Sequence, residues 1–177
     1  MSAVSKYNNK LVVRPSNKQP SPFLVECEKT LVETVRDRKT RIWGKPKALD
    51  LGCGAGRQAK FLQNLGFEVL AFDRKPDFGF ALELGEGPLP VFSDVVNIVV
   101  LSYILMFLDE QQLDKLFVEV LRVAAFECVF IVELSDVKNS LYHGHKLVEV
   151  LNEFERRARA VGFHTITRRK HHLLSLR

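Results

Sequence analysis

The sequence predicts an α/β fold, a three-layer αβα sandwich around a mostly parallel sheet with an antiparallel hairpin at its C-terminal edge. Three observations carry that expectation. Short apolar runs at 48–51, 67–72, 95–101 and 128–134 alternate with stretches whose apolar residues recur at helical spacing. The run 95–101 is apolar apart from Asn97 and mostly β-branched, the pattern of a strand covered on both faces. The order from Ala48 to Asp73 has the length of a βαβ unit, whose crossover should be right-handed. With 177 residues, 46% of them hydrophobic and 27% charged, the chain fits one domain able to bury its own core, and neither two large domains nor a disordered chain.

Residues 1–21 are polar, basic and interrupted by Pro15 and Pro20, so they read as an arm or lid with at most a short extended piece at Leu11 to Arg14. The single domain is then 22–177. Pro22 suits a helix start, and Leu24, Cys27, Leu31 and Val35 place an amphipathic helix from there to about Arg38. Ala48 to Leu51 is a strand that stops at a glycine cluster. Arg57 to Leu65 resumes helical spacing through Phe61 and Leu62 until Gly66 ends it, and Phe67 to Phe72 is the next strand, running into Asp73. Gly79, Gly85, Gly87, Pro88 and Pro90 leave room between Asp73 and Asp94 for one short helix or strand at Phe78 to Leu84, which gives a sheet of six strands. Asp109 can cap a helix whose stripe is Leu113, Leu116, Phe117, Val120, Leu121 and Ala124. After a strand at Cys128 to Leu134, a last helix carries Leu147, Leu151, Phe154, Ala158 and Val161. Phe163 to Arg169 and His171 to Leu176 then pair as a hairpin.

No apolar run reaches the roughly 18 residues of a membrane span, and the first thirty residues lack the compact apolar stretch of a secretory signal. Cys27, Cys53 and Cys128 show no C-x-x-C spacing, so they read as reduced thiols of a cytoplasmic protein. The net charge of +5 is segregated: residues 1–47 carry +7, residues 48–151 carry −7 and residues 152–177 carry +5. Basic ends around an acidic middle can mark a polyanion-binding surface, but solvated basic faces without partners are at least as common.

The most informative stretch is Leu49-Asp50-Leu51-Gly52-Cys53-Gly54-Ala55-Gly56, where a strand turns into a helix and bare backbone lets a ligand approach. Its G-x-G-x-G spacing differs from the G-x-G-x-x-G of dinucleotide sites, and no P-loop lysine follows. Asp50 suits a ligand with an ammonium group, and Asp73, ending the next strand, can accept hydrogen bonds from a ribose diol. The segment LDLGCGAGRQAKFLQNLGFEVLAFD resembles the cofactor-binding half of a class I, Rossmann-like S-adenosylmethionine-dependent methyltransferase, and looser similarity continues from Asp94 to Leu108. That resemblance implies a seven-stranded family fold with S-adenosyl-L-methionine as cofactor. It implies that Gly52, Gly54 and Gly56 approach the methionine part with help from Asp50, that Asp73 holds the ribose hydroxyls, and that Cys53, Arg74, Leu101 and Ser102 complete the cofactor contacts. The region 74–94 departs from the family by being trimmed, which leaves the loop Leu84-Gly85-Glu86-Gly87 as the candidate adenine contact.

A sulfonium is already an activated methyl donor, so alignment and exclusion of water are the main tasks, with a base needed only where the acceptor loses a proton. Ser102 and Tyr103 after one strand, and Ser135 to His145 after the next, fall at the strand ends where substrate binds. His143 and His145 are the candidate general bases, with Tyr103 beside them, Tyr142 as a second aromatic wall and Tyr7 of the arm as a closing residue. His143, His145, His171 and His172 share no carboxylate or cysteine at a ligand spacing, so no metal is expected. The stretch Leu101 to Leu105 lacks the Asn/Asp-Pro-Pro-aromatic motif of many amino-methylating enzymes. Arg156, Arg157, Arg159, Arg168, Arg169 and Lys170 could grip phosphates, but no aromatics are interleaved with them. A small-molecule methyl acceptor therefore ranks first and RNA or another polyanion second; a non-catalytic cofactor-binding or scaffold protein is the third reading. The oligomeric state stays open.

Overall fold

The computed structural model describes residues 12–13, 19–39, 44–134, 141–142, 145–169 and 172–176. Five parallel strands form the centre of the sheet: β2 (Lys47–Leu51), β3 (Glu68–Asp73), β4 (Phe78–Ala81), β5 (Val96–Ser102) and β6 (Ala124–Glu133). An antiparallel hairpin of β9 (His164–Arg169) and β10 (His172–Leu176) extends it beyond β6. The two residues of β1 (Val12–Val13) pair antiparallel with β4 at the opposite edge. The order is β1-β4-β3-β2-β5-β6-β10-β9. A separate two-residue ladder joins β7 (Leu141–Tyr142) to β8 (His145–Lys146).

Side-chain alternation along these strands feeds two cores. Ala48, Ile98, Val100, Val129, Ile131 and Leu174 point to one face, where Phe23 and Leu24 of α1 (Pro22–Glu26), Leu31 of α2 (Glu28–Lys39) and Leu62 of α3 (Arg57–Asn64) cover them. Leu49, Leu51, Val99, Leu101, Phe130 and Val132 point to the other face, under α4 (Glu110–Val123) and α5 (Leu147–Ala160). There the Phe130 ring stacks on Phe163 at 4.1 Å and meets Phe154 edge-on at 5.4 Å. The helix α4 starts where expected: Asp109 accepts from the Gln112 amide at 2.9 Å while the Gln112 side chain takes the Asp109 amide at 3.0 Å, a reciprocal capping box. Asn97, which interrupts its apolar strand, is buried and accepts the Lys47 amide at 2.9 Å.

Three expectations are corrected. The helix at 22–38 is divided at Cys27, whose amide is shared between the carbonyls of Phe23 (3.1 Å) and Leu24 (3.2 Å), a local tightening that spacing of apolar residues does not reveal. The strand expected at 128–134 begins at Ala124, directly from the end of α4. The sheet does not stop at six strands, because β4 forms without any helix between it and β3.

A parallel connection ordinarily needs a dozen or more residues. Residues 74–77 suffice here because β4 is slid along β3, so that only Phe72 and Asp73 pair with Phe80 and Ala81. Gly79 makes that close passage feasible: its φ is +91°, and a Cβ there would lie 2.4 Å from the Ala71 carbonyl oxygen. Gly79→Ala should therefore destabilise the protein by about 3 kcal/mol in thermal or denaturant unfolding. Gly87→Ala, in open space and without a left-handed φ, should stay within about 0.5 kcal/mol of wild type.

Candidate functional site

The parallel strands all end at one edge of the sheet, and the chain order reverses between β2 and β5, where a crevice opens outside the carboxyl ends. A cleft of about 490 Å³ occupies it. From the glycine loop come Gly52, Cys53, Gly54, Ala55 and Arg57; from the end of β3, Asp73 and Arg74. Beyond β4 stand Glu83 and Leu84; Ser102 ends β5, and Tyr103, Ile104, Phe107 and Leu108 follow it.

The three glycines do different work. A Cβ on Gly52 would meet Ile104 Cβ at 2.6 Å, and one on Gly56 would meet the Phe78 ring at 2.3 Å, so both are needed for internal packing. Only Gly54, at φ +49°, faces open space. Its amide donates to Asp73 Oδ2 at 3.0 Å, while its carbonyl accepts the amides of Asp77 (3.0 Å) and Phe78 (3.2 Å). Asp73 Oδ1 accepts the Lys75 amide at 3.0 Å. The Asp73 carboxylate is thereby fixed at the cleft wall with lone pairs left over for a ligand.

Asp50 lies beneath the loop, 1% exposed, and its Oδ2 has no hydrogen-bond partner. Burial pushes its carboxyl up to about 7, against the Ala59 amide, which favours the charged form. Arg57 opens α3, where a cation opposes the helix dipole and an incoming anion is favoured; its guanidinium lies 5.5 Å from the centre of the Tyr103 ring. Tyr103 has φ +61°, the left-handed region that few non-glycine residues occupy, and its amide donates to the Glu133 carbonyl at 2.8 Å. Burial, followed by the nearby Glu133, raises its phenol pKa. Arg74 is exposed, 4.0 Å from Glu83. Burial pushes the Cys27 thiol up to about 12 and that of Cys53 higher, so neither is poised as a nucleophile.

The structure thus gathers Gly52, Cys53, Gly54, Asp73, Arg74, Ser102 and Tyr103 around one cleft, with Asp50 just below it. Gly56 and the fully buried Leu101 do not line it. Of the expected adenine loop only Leu84 does: Gly85 packs on Gln112, and Glu86 accepts from the Gln112 side chain at 2.7 Å. His143 and His171, like Tyr7, lie outside the described residues; Tyr142 and His145 are described as the paired ends of β7 and β8. Among the described residues no three His, Cys, Asp or Glu side chains gather as a metal site, and no helix is long and apolar enough to cross a membrane.

Sequence reasoning missed Arg57, although a cation at the first position of a helix was a visible anomaly. It also missed Glu133, which ends an apolar strand and is 0% exposed. Glu133 Oε1 accepts from Ser102 Oγ at 2.5 Å and from Ser21 Oγ at 2.7 Å, and its Oε2 has no partner. Ser21 also caps α1, and its amide meets Gln58 Oε1 at 3.4 Å.

This is the fold of the class I S-adenosylmethionine-dependent methyltransferases. The family model of TehB, a tellurite resistance protein, matches residues 26–83. No protein with a curated description matches the sequence. A methyltransferase from Archaeoglobus fulgidus superposes with a TM-score of 0.56 at 17% identity, covering 82% of this chain and 75% of that one. A TehB-like methyltransferase from Corynebacterium glutamicum gives 0.55 at 16%, covering 86% and 94%. The 1,6-didemethyltoxoflavin-N1-methyltransferase of Burkholderia thailandensis, solved with 1,6-didemethyltoxoflavin and S-adenosylhomocysteine, gives 0.54 at 16%, covering 93% and 91%.

The raised Asp50 pKa has a consequence for stability. The folded state holds this proton more tightly than the unfolded chain, whose carboxyl titrates near the ordinary 3.8. Stability of the ligand-free protein should therefore fall as pH rises from about 4 to about 7. Asp50→Asn should flatten that fall, as chemical denaturation across this pH range would register.

Proposed function

We propose that the protein is an S-adenosylmethionine-dependent methyltransferase acting on a small-molecule acceptor. The observation that carries this reading is the open backbone of Gly54 tied to the Asp73 carboxylate inside one crevice. A nucleoside ribose needs such a fixed carboxylate, and an amino-acid moiety needs such a bare loop. The cleft volume lies within the roughly 300–1,000 Å³ of small-ligand pockets, and an unpartnered Asp50 oxygen beneath the loop suits a ligand bearing an ammonium group. The donor set therefore fits the cofactor, which when bound supplies a methyl group already activated by its sulfonium.

In this reading Asp73 accepts from the ribose diol, and Leu84 and Phe107 offer apolar surface to the adenine. Arg57, at the positive end of α3, takes the methionine carboxylate. Gly52, Cys53 and Gly54 form the floor, with Gly56 and Leu101 supporting it from behind. Arg74 closes the nucleoside end, Ser102 and Tyr103 stand at the acceptor side, and His143 and His145 are the candidate bases. The chain's own task is to align the acceptor and keep water out.

A small acceptor is favoured over a polyanion by where the basic residues go. Arg156 and Arg157 bind Glu153 at 2.7 and 2.6 Å, and Arg157 also binds Asp114 at 2.6 Å. Arg159 and Arg168 converge on Glu155, and Arg169 pairs with Glu26. Arg156 and Arg157 hold the Glu153 carboxyl down to about 2. Side chains paired in this way offer little net charge to a phosphate backbone. One solved protein of this fold is, by its name, a 1,6-didemethyltoxoflavin-N1-methyltransferase. Cys27, Cys53 and Cys128 are buried and in no disulfide, which suits a cytoplasmic enzyme.

Calorimetric titration tests the assignment. Wild type should bind S-adenosylhomocysteine, and Asp73→Ala should weaken it by roughly 10- to 100-fold, the loss of a charged hydrogen-bonding group. Arg57→Ala should weaken S-adenosylhomocysteine while leaving 5′-methylthioadenosine, which lacks the carboxylate, unaffected. Equal losses for both ligands would remove Arg57 from the carboxylate. Binding of the methyl acceptor should be nearly insensitive to salt, whereas a steep salt dependence would point to a polyanion.

A further inference from the structure

Ser102, Glu133 and His172 occupy neighbouring register positions across β5, β6 and β10. Ser102 is paired with Glu133 in the parallel ladder and lines the cleft. His172 stands directly opposite Glu133 in the antiparallel ladder, a position that puts both side chains on one face with Cβ atoms about 5 Å apart. The row is sealed in its middle: Ser102 is 7% exposed, Glu133 0%, and His172 is half-buried beside the Phe23 ring at 4.6 Å.

Nothing in the cofactor reading uses Glu133. A carboxylate held wholly out of water is costly unless its oxygens find donors. This one places both hydroxyl donors, Ser102 and Ser21, on Oε1 and leaves Oε2 bare. The groups facing it are Asp50 from β2, Cys27 from the turn between α1 and α2, Tyr103 after β5 and His172 from β10. Arg57 and Arg169 act on Asp50, Tyr103 and Cys27 beside it, but no lysine or arginine among the described residues forms an ion pair with Glu133, and Arg169 is taken by Glu26. Its surroundings therefore give it hydroxyl contacts and an open oxygen rather than a neutralising ion pair, which is the arrangement of a group that exchanges a proton.

We propose that Ser102 and Glu133 form a proton relay at the acceptor end of the cleft, with His172 as its outlet, so that the acceptor is a compound methylated at an N–H, O–H or S–H group. The inference rests on the methyltransferase reading and narrows its substrate class. A lone pair on the acceptor forms the bond to the methyl carbon as the carbon–sulfur bond breaks, with its electron pair going to sulfur. The acceptor's proton passes to Ser102 Oγ while the serine's own proton moves to Glu133 Oε1. Neutral Glu133 is reset by giving that proton to the imidazole of His172 and thence to solvent. Ser102 is the group that touches the acceptor; Glu133 acts through it.

The test follows S-adenosylhomocysteine formation against pH with a panel of amines, thiols and phenols beside their fully methylated counterparts. Wild type, Glu133→Gln and Ser102→Ala are compared, and S-adenosylhomocysteine affinity is measured for each. Glutamine keeps an oxygen for both serine hydroxyls, so fold and cofactor affinity should persist. Wild type should methylate protic members, with a rate that falls in acid. Glu133→Gln should lower kcat by roughly 100-fold, within the range of general acid–base contributions, and should lose the acid limb. Ser102→Ala should do the same. Wild-type kcat and pH profile in Glu133→Gln, or turnover of tertiary amines and thioethers alone, would overturn the relay while leaving the methyltransferase reading intact. Cofactor binding by wild type without turnover of any panel member would likewise overturn the relay. A wild type that does not bind S-adenosylhomocysteine would remove the reading and the relay together.

Discussion

The structure depends on how the backbone of Gly54 is held. Its amide is taken by the Asp73 carboxylate, and its carbonyl is taken by two amides of the chain entering β4. A loop of this kind is flexible by composition, and these contacts from the neighbouring strand system make it a defined surface. The same contacts explain why residues 74–77 can join two parallel strands without a helix. The link is short because it folds onto the loop, and the loop is rigid because the link folds onto it. Phe78 then fills the space under Gly56, and Cys53 Sγ closes the arrangement by donating to the Phe78 carbonyl at 3.0 Å.

On the sheet face covered by α1 and α3, the usual apolar alternation gives way to polar groups at the strand ends. Asp50 follows Ala48, Ser102 follows Val100, and Glu133 follows Ile131, each two residues on and therefore on the same face. Two of the three are carboxylates with an unpartnered buried oxygen. Burial of this kind lowers stability, and the fold concentrates it beside the cleft rather than distributing it. Ser21 links this row to the start of α1, and Gln58 links α1 to the first turn of α3, so the covering helices are tied to the site and not only to the core. At the far side the arginines of α5 and β9 are tied up in ion pairs with Glu153, Glu155, Asp114 and Glu26. These pairs are partly solvent-exposed and contribute little to stability individually, yet they offset the positive charge that the sequence concentrates at the C-terminus.

Much of the fold was legible because its signals are local. The βαβ unit from 48 to 73, the stripe of α4 with its Asp109 cap and the final hairpin each follow from period and turn chemistry. The helix division at Cys27 was not legible, since it reflects a shared hydrogen bond rather than a change of pattern. The strand β4 was expected only as an alternative, because glycines and prolines that read as loop also permit a strand that passes close to its neighbour. At the site, Asp50, Gly54 and Asp73 were readable from the glycine motif. The separate duties of Gly52 and Gly56 were not, because Ile104 and Phe78 reach them only through tertiary packing. Glu133 escaped notice for a similar reason: in sequence it is one acid at the end of an apolar run, and its meaning comes from Ser102 and Ser21, which lie 31 and 112 residues away.

The most direct measurement is a crystal structure with S-adenosylhomocysteine. The ribose diol should lie on Asp73 and the amino-acid moiety over Gly54 with its carboxylate at Arg57, with Phe78 still packed on Gly56. A nucleoside bound elsewhere, or one that enters only after Phe78 and the 74–77 link have been displaced, would contradict this placement.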